Sequence, residues 1–569
     1  MPHANGGVLL RNVRVHLAAI GIGMVVSVAP SPSFAQEASA PEEVRFPVYE
    51  YVVRGNTVLA GADVERTLAP FMGPARTVAD VQAAQQALQK VYQDAGYVSV
   101  SVDVPPQDAR DGVIEFRINE GRVGRVRVEG ADYVLPSLVR SSMESLEPGE
   151  VPHLPTLQAD LRKANSRPSH TIEPRFRAGL APGTVDVDLV VEDDRPWGAG
   201  VELNDRFNRS TERLRLNFSA NYDNLWQRGH SANIFYQTAP EEFDQIQVVS
   251  ASYFAPLGYS RTSLLGYVVA SNTDVATAGG LTVIGEGFNF GARLIHTLDS
   301  DAQGTVHSII AGVDYKDFTD EIGLTLDDGE EITFQTPVNY LPFTFQYRML
   351  RGRPRATQEF TLGTTFGFDG IVGQQREFGG VPDDPLTVVD ENELAPGRRA
   401  GAEASFIYLF GSYKQERQLP ADLAITGAVD FQYAPEPLIA NEQFSMGGLT
   451  SVRGYREAEA LSDTGVRGSL ELSRNMEDVL PESWRSALDW RLFGFGEGAI
   501  GEIVEPLPEE EDDFVFGSVG LGTEITLFDT AVMRLNGAYR FTDDPSGSGD
   551  EPPTDIGDVR LHFSIAVNY

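Results

Sequence analysis

The chain contains no cysteine, which removes both a disulfide framework and a thiolate metal site. It is also short of positive charge. Its 45 Lys and Arg stand against 82 Asp and Glu, a net charge of −37. Nucleic-acid binders carry the opposite balance, so nucleic acid is excluded as a partner. Long apolar runs are missing. No stretch approaches the roughly 18 consecutive apolar residues of a spanning helix. Catalytic spacings are missing as well. None of the 8 His stands in His-Glu-x-x-His spacing or beside a nucleophile motif. No Gly-x-x-x-x-Gly-Lys-Ser/Thr phosphate loop occurs. No enzyme activity, cofactor or metal is expected.

What is present begins at the N-terminus. Arg11 and Arg14 precede an apolar run from Leu17 to Ala29, and small residues follow to Ala35. This order predicts a secretory signal peptide over residues 1–35, with a second cleavage option after Ala40. The mature chain is therefore expected to be exported. Acidic clusters at Asp327 to Glu331, Pro508 to Asp513 and Ser546 to Pro553 read as solvated loops.

After a short segment, 36–45, helix and strand patterns mix as far as residue 194. Thr77 can cap a helix whose face carries Val81, Ala84, Leu88 and Val91, and Gly96 can end it. Tyr97 to Val104 and Gly112 to Gly121 alternate as strands. A second unit repeats the order strand, helices, strand, strand, with a hairpin around Pro182 and Gly183. Two modules, 46–120 and 121–194, follow from this internal repeat.

From residue 195 to 569 the pattern changes to strict alternation. Leu214, Leu216, Phe218, Ala220 and Tyr222 share one face, and Arg213, Arg215, Asn217, Ser219 and Asn221 the other. Phe360, Leu362, Phe366 and Phe368 line a similar apolar face. One face is too polar for a core and the other too apolar for water. The combination fits a membrane β-barrel with lipid outside and water inside. Sixteen candidate strands centre near residues 202, 218, 234, 250, 266, 288, 311, 342, 363, 407, 427, 470, 492, 520, 535 and 563. Connections after strands 2, 4, 8, 10 and 14 are short, and those after 7, 9, 11, 13 and 15 are long and often acidic. Short periplasmic turns and long external loops require this alternation. The expected fold is mainly β: a 16-stranded antiparallel outer-membrane barrel behind two α/β modules.

The last strand places Val559, Leu561, Phe563, Ile565, Val567 and Tyr569 on one face and ends on the aromatic. It resembles the C-terminal signal by which outer-membrane barrels are recognised for assembly. "DAGYVSVSVDVPPQDARDGVIEFRINEGRVG" resembles the end of a first POTRA module, and "GLAPGTVDVDLVVEDDRPWGAGVELND" the end of a second and entry into a barrel. "EQFSMGGLTSVRGYRE" resembles the VRGY motif. Together they resemble the outer-membrane transporters of two-partner secretion (TpsB; the ShlB/FhaC/HecB haemolysin secretion/activation family). These share a superfamily with the barrel-assembly protein BamA.

The resemblance implies a function. Periplasmic POTRA modules would recognise an unfolded, TpsA-like β-helical exoprotein, and the barrel would pass it to the cell surface without nucleotide hydrolysis. Other implied partners are outer-membrane lipid and, during biogenesis, the barrel-assembly machinery. The alternative is a BamA-like factor that inserts barrel proteins. Two modules, where BamA-type insertases usually carry five, favour transport. The resemblance also places Val452, Arg453, Gly454 and Tyr455 on an external loop, about 434–465, that folds back into the barrel. Its arginine would meet an acidic residue of a Phe-x-Asp-x-Gly pattern on strand thirteen. Here that stretch is Phe495-Gly496-Glu497-Gly498-Ala499, so Glu497 replaces aspartate and Ala499 replaces glycine. Glu497 shares parity with Asp489 and Arg491 and should face the lumen. "VRGS" at Val466 to Ser469 is expected to be structural, within strand twelve. Many members of the family plug the pore with an N-terminal helix. The short segment here leaves no room for one, so closure is expected to rest on the folded-in loop alone.

Overall fold

The computed structural model describes residues 44–569, except 166–169, 209–210, 259, 274, 279–280, 285, 299–303, 326–330, 380–397, 400, 507–511 and 543–556. The expected signal peptide, and residues 36–43 on which the expected absence of a plug helix rests, lie outside the described residues. So do the acidic clusters, apart from Glu331, Asp512 and Asp513. The described residues divide into two compact units, 44–194 and 195–569.

The N-terminal unit holds two sheets of the same design. In the first, Glu50–Arg54 runs parallel to a central strand, Val113–Glu120, and Val100–Asp103 completes the other edge antiparallel. In the second, Arg122–Glu129, Thr184–Asp193 and His170–Ala178 take the same three places. Helix Val78–Asp94 starts at Thr77 in a capping box with Asp80. Its buried face is Val81, Ala84, Leu88 and Tyr92. Tyr92 thus takes the core place expected of Val91, because positions three and four residues beyond Leu88 both fall on that face. Its hydroxyl donates to Asn56 Oδ1 at 2.9 Å. Glu120 ties the modules together. Its carboxylate accepts from Thr57 and Val58 of the first, and from Arg122 of the second at 2.8 Å.

The C-terminal unit is a closed antiparallel barrel. Among the described residues its strands are β1 (Trp197–Asn204), β2 (Arg215–Leu225), β3 (His230–Thr238), β4 (Gln247–Pro256), β5 (Thr262–Ser271), β6 (Glu286–Thr297) and β7 (Thr305–Thr325). Next come β8, in two pieces (Glu331–Tyr340 and Phe343–Arg353), β9 (Ala356–Phe366), β10 (Ile407–Gln418), β11 (Leu423–Tyr433) and β12 (Thr464–Asn475). The circuit ends with β13 (Leu488–Glu502), β14 (Asp513–Leu527), β15 (Ala531–Arg540) and β16 (Val559–Asn568). Fifteen expected centres fall inside a strand of their own. The eighth, residue 342, falls on the break in β8, where Pro342 has no N–H to pair and its carbonyl instead accepts from Asp314 N–H at 3.1 Å.

One connection differs from expectation. The long acidic loop foreseen after the seventh strand is mostly strand. β7 and β8 stay in register from Lys316↔Tyr340 out to Thr325↔Glu331, leaving only residues 326–330 between them. In sequence the β8 arm alternates Ile332 and Phe334 with Thr333 and Gln335, a strand pattern that the preceding acidic cluster obscured.

The alternation sorts side chains as lipid and water require. Leu521 is 75% exposed on the outer face, whereas Asn536 is fully buried on the inner one. β16 meets β1 through only five register pairs, against fifteen between β13 and β14. Beyond them, Tyr569 exchanges backbone bonds with Ala199 at 3.0 and 2.8 Å. The Arg195 guanidinium lies 4.1 Å from the Tyr569 ring and 4.4 Å from that of Trp197.

Candidate functional site

Between β11 and β12 the chain folds back against the inner wall. Phe444–Met446 pairs with Ala460–Ser462 as a small hairpin, and residues 447–459 form its tip. Two buried carboxylates anchor the base. Asp463 accepts from Arg399 at 2.6 Å, from the Leu438 N–H at 2.9 Å and from the Val504 N–H at 2.8 Å. Glu442 accepts from the hydroxyls of Tyr340 at 2.5 Å and Tyr408 at 2.8 Å, and pairs with Lys316.

The tip brings Val452, Arg453, Gly454 and Tyr455 onto β13, β14 and β16. Arg453 donates its backbone N–H to Glu497 Oε2 at 2.7 Å, and Nε and Nη2 to Oε1 at 2.8 and 2.5 Å. Its Nη1 reaches Glu471 on β12 at 3.2 Å. The guanidinium carbon lies 3.4 Å from the centre of the Phe495 ring. Side-chain exposure is 9% for Arg453 and 5% for Glu497, so water is largely excluded. Removing one partner from such an enclosed pair costs on the order of 3–5 kcal/mol, more than an exposed pair contributes.

Gly454 has φ +101°, a backbone shape that L side chains avoid. An added Cβ would also sit 3.0 Å from Arg540 Cγ and 3.3 Å from Ala538 Cβ. Its N–H donates to His562 Nε2 on β16 at 3.1 Å. Tyr455 is fully buried, edge-on to Phe516 at 4.7 Å, with its hydroxyl 2.7 Å from Thr542 Oγ1. Val452, Tyr455, Met446, Phe516 and Ala499 form one apolar cluster. Ala499, which departs from the family pattern, adds its methyl group there. Glu457 extends the hold, accepting from Arg206 at 3.0 Å while its N–H donates to the Phe207 carbonyl at 3.0 Å.

Phe563, Ile565, Val567 and Tyr569 stand apart from this cluster, on the outward parity of the closing strand. Tyr569 is 66% exposed. Arg467 of "VRGS" lies in β12 and pairs across the ladder with Asp430 at 3.0 Å.

Several site residues had no sequence signal. Glu471 continues as a charge ladder along the inner wall: Arg491 lies 3.8 Å from it, Glu524 3.6 Å from Arg491, and Arg534 2.5 Å from Glu524. Inward parity could have selected these residues, but not their pairing. The connection after β9 was expected only as a long loop, without its helix or its packing. Its helix Gln375–Gly379 and residues 402–406 enter the barrel mouth, where Phe378, Ala402, Ala404 and Phe406 pack with Leu438, Ile439, Val248 and Val338. The folded-in loop, expected to close the pore alone, is thus not the sole connection packed there: among the described residues, two connections share one apolar core. Scattered apolar residues in a long loop carry no periodicity to reveal this. A cavity of about 670 Å³ remains in the lumen, lined by Tyr267, Asn289, Gln346, Thr365 and Phe410 among others.

Comparison with known proteins bears on the family and the fold. A family model described as haemolysin secretion/activation protein ShlB/FhaC/HecB matches residues 183–490, and a POTRA domain model of ShlB type matches residues 46–121. The outer membrane transporter CdiB of Dickeya dadantii is 22% identical over 469 residues, spanning 79% of this chain and 73% of that one. The heme/hemopexin transporter protein HuxB of Haemophilus influenzae (strain 86-028NP) is 20% identical over 484 residues, spanning 82% and 79%. Among solved structures, CdiB from Escherichia coli matches with a TM-score of 0.55 at 17% identity, covering 95% of this chain and 93% of that chain. BamA from Haemophilus ducreyi, lacking POTRA domains 1–3, matches with a TM-score of 0.51 at 14% identity, covering 92% and 100%. At these identities the structural likeness concerns the fold alone. The family match, however, spans more than half of the chain. The chain belongs to the ShlB/FhaC/HecB haemolysin secretion/activation family, the outer-membrane transporters of two-partner secretion, with its POTRA modules in the periplasm and a secreted protein as its partner.

Proposed function

We propose that this chain passes one unfolded exoprotein through its barrel, and that Arg453 on Glu497 is the catch holding the lumen closed between passages. The observation that carries this reading is the enclosed pairing of Arg453 with Glu497 and Glu471 at the tip of a folded-in loop. A catch of this kind is stable at rest yet yields as a unit, because its hold is concentrated in a few contacts. The periplasmic modules supply the receiving surface. His170–Ala178 is an edge strand, to which an extended cargo segment can add through main-chain hydrogen bonds, whereas the outer edge of Val100–Asp103 is already bonded by the side chains of Gln85 and Gln89. The cargo then threads the lumen and folds outside, which gives direction where the periplasm supplies no ATP. A β-helical exoprotein suits this route, since each rung can fold on the one before it. Lipid meets the apolar outer face, and the barrel-assembly machinery reads Phe563, Ile565, Val567 and Tyr569. No catalytic step is assigned.

A secretome comparison between wild type and a deletion strain tests this reading. Loss of one large exoprotein from the surface or medium is expected. Depletion of many outer-membrane proteins at once would instead indicate a BamA-like assembly factor.

A further inference from the structure

The catch at Glu497 makes no use of His562, yet this residue holds the same loop. It stands on the lumen-facing parity of β16 with 3% of its surface exposed. Its two ring nitrogens serve two segments. Nε2 accepts the Gly454 N–H at 3.1 Å, and Nδ1 faces Asp205 Oδ2 at 3.4 Å. Asp205 is buried immediately after β1, and its other oxygen accepts the Phe563 N–H at 2.8 Å. An accepting Nε2 requires the neutral ring with its proton on Nδ1, the side that Asp205 faces. One imidazole thus connects the loop tip to both strands of the five-pair seam.

Protonation would reverse one contact and keep the other. An imidazolium carries N–H on both nitrogens, so Nε2–H would meet the Gly454 N–H, donor against donor. The contact with Asp205 would remain and gain charge. The charged groups on surrounding elements are Glu202 and Asp205 at β1, Arg213 beside Asp205 at 3.7 Å, Arg560 on β16, and Arg534 and Arg540 on β15. On β15, Asn536 stands directly opposite His562. The loop itself contributes Arg453, Arg456, Glu457 and Glu459. Among the described residues, the other barrel histidines, His230, His296 and His307, lie at strand ends beside the short turns, away from the loop tip.

We propose that His562 is a second holding point for the pore loop: neutral, it accepts from Gly454 and keeps Arg453 seated; charged, it releases the tip. It is a positioning residue, acting on Arg453 through Gly454. The inference rests on the reading of the loop as a catch.

The test is the open probability of the purified full-length protein in planar bilayers, recorded from about pH 8 to about pH 5. Wild type is expected to open about 3- to 10-fold more at the acidic end, the effect of one neutral hydrogen bond. His562→Gln, whose amide oxygen accepts at any pH, is expected to give a flat profile. His562→Asn serves if the glutamine variant does not assemble. A wild-type profile with no acidic rise, or a rise that persists in the variant, overturns the proposal. Arg453→Ala separates this from the parent reading. If that channel is no more open than wild type, the catch itself is wrong. If it is open at every pH while wild type shows no rise, only the role of His562 is wrong.

Discussion

Arg453 is held by two carboxylates, an aromatic face and its own backbone N–H. Replacing it with alanine leaves Glu497 enclosed without that cation, and Glu471 with Arg491 alone. The docked loop should lose about 3–5 kcal/mol. Because the chain has no cysteine, Ser451→Cys at the tip, where the Ser451 Oγ is buried, gives a clean reporter. Its maleimide labelling should be slow in the parent chain and fast with Arg453→Ala. Equal rates would show that Arg453 does not hold the tip. Exchanging the two charges, Arg453→Glu with Glu497→Arg, should restore only part of the slow labelling. The arginine at 497 cannot accept the N–H of residue 453, and the new glutamate would face Glu471. Full rescue would mean that Glu471 and the backbone contact contribute nothing.

At the scale of elements, Asp463 joins three connections: Arg399 after β9, Leu438 after β11 and Val504 after β13. Asp463→Ala should destabilise the folded barrel by on the order of 3–5 kcal/mol, read as a lower thermal unfolding midpoint in detergent. An unchanged midpoint would separate the two loops energetically. In the first module, the Thr77 backbone N–H and hydroxyl both donate to Asp80, at 2.8 and 3.0 Å. These bonds, the backbone one foremost, hold the Asp80 carboxyl below its ordinary value. A depressed carboxyl adds stability that is present above the unfolded value, about 4, and lost as pH falls through the lower folded value. Exchange protection at the helix start should therefore fall in that acidic window in wild type, and not in Asp80→Ala. Much at this scale could be read from the sequence. Alternation located the strands because lipid and water impose a two-residue period. It could not show the β7–β8 extension, where an acidic run overrides the pattern, nor the break at Pro342.

For the whole molecule, local periodicity and long-range contacts divide what the sequence shows from what it conceals. The chain order of POTRA modules and barrel is periodic and motif-bearing, so it was legible. The resemblance named Arg453 and Glu497, and parity put Glu497 on the lumen side. Glu471, His562 and Asp463 have no spacing of their own. They become site residues only once strands 12, 13 and 16 are wrapped against one loop. The same holds for the apolar core shared by the two connections, in which Phe378 meets Leu438 and Ile439 across some sixty positions of chain.

The most direct test of the central claim is secretion of the cargo by cells carrying Arg453→Ala, with correct barrel assembly shown by heat-modifiable migration in gels. The catch predicts at least a tenfold fall in secreted cargo alongside a fully assembled barrel. Wild-type secretion from an assembled Arg453→Ala barrel would contradict it.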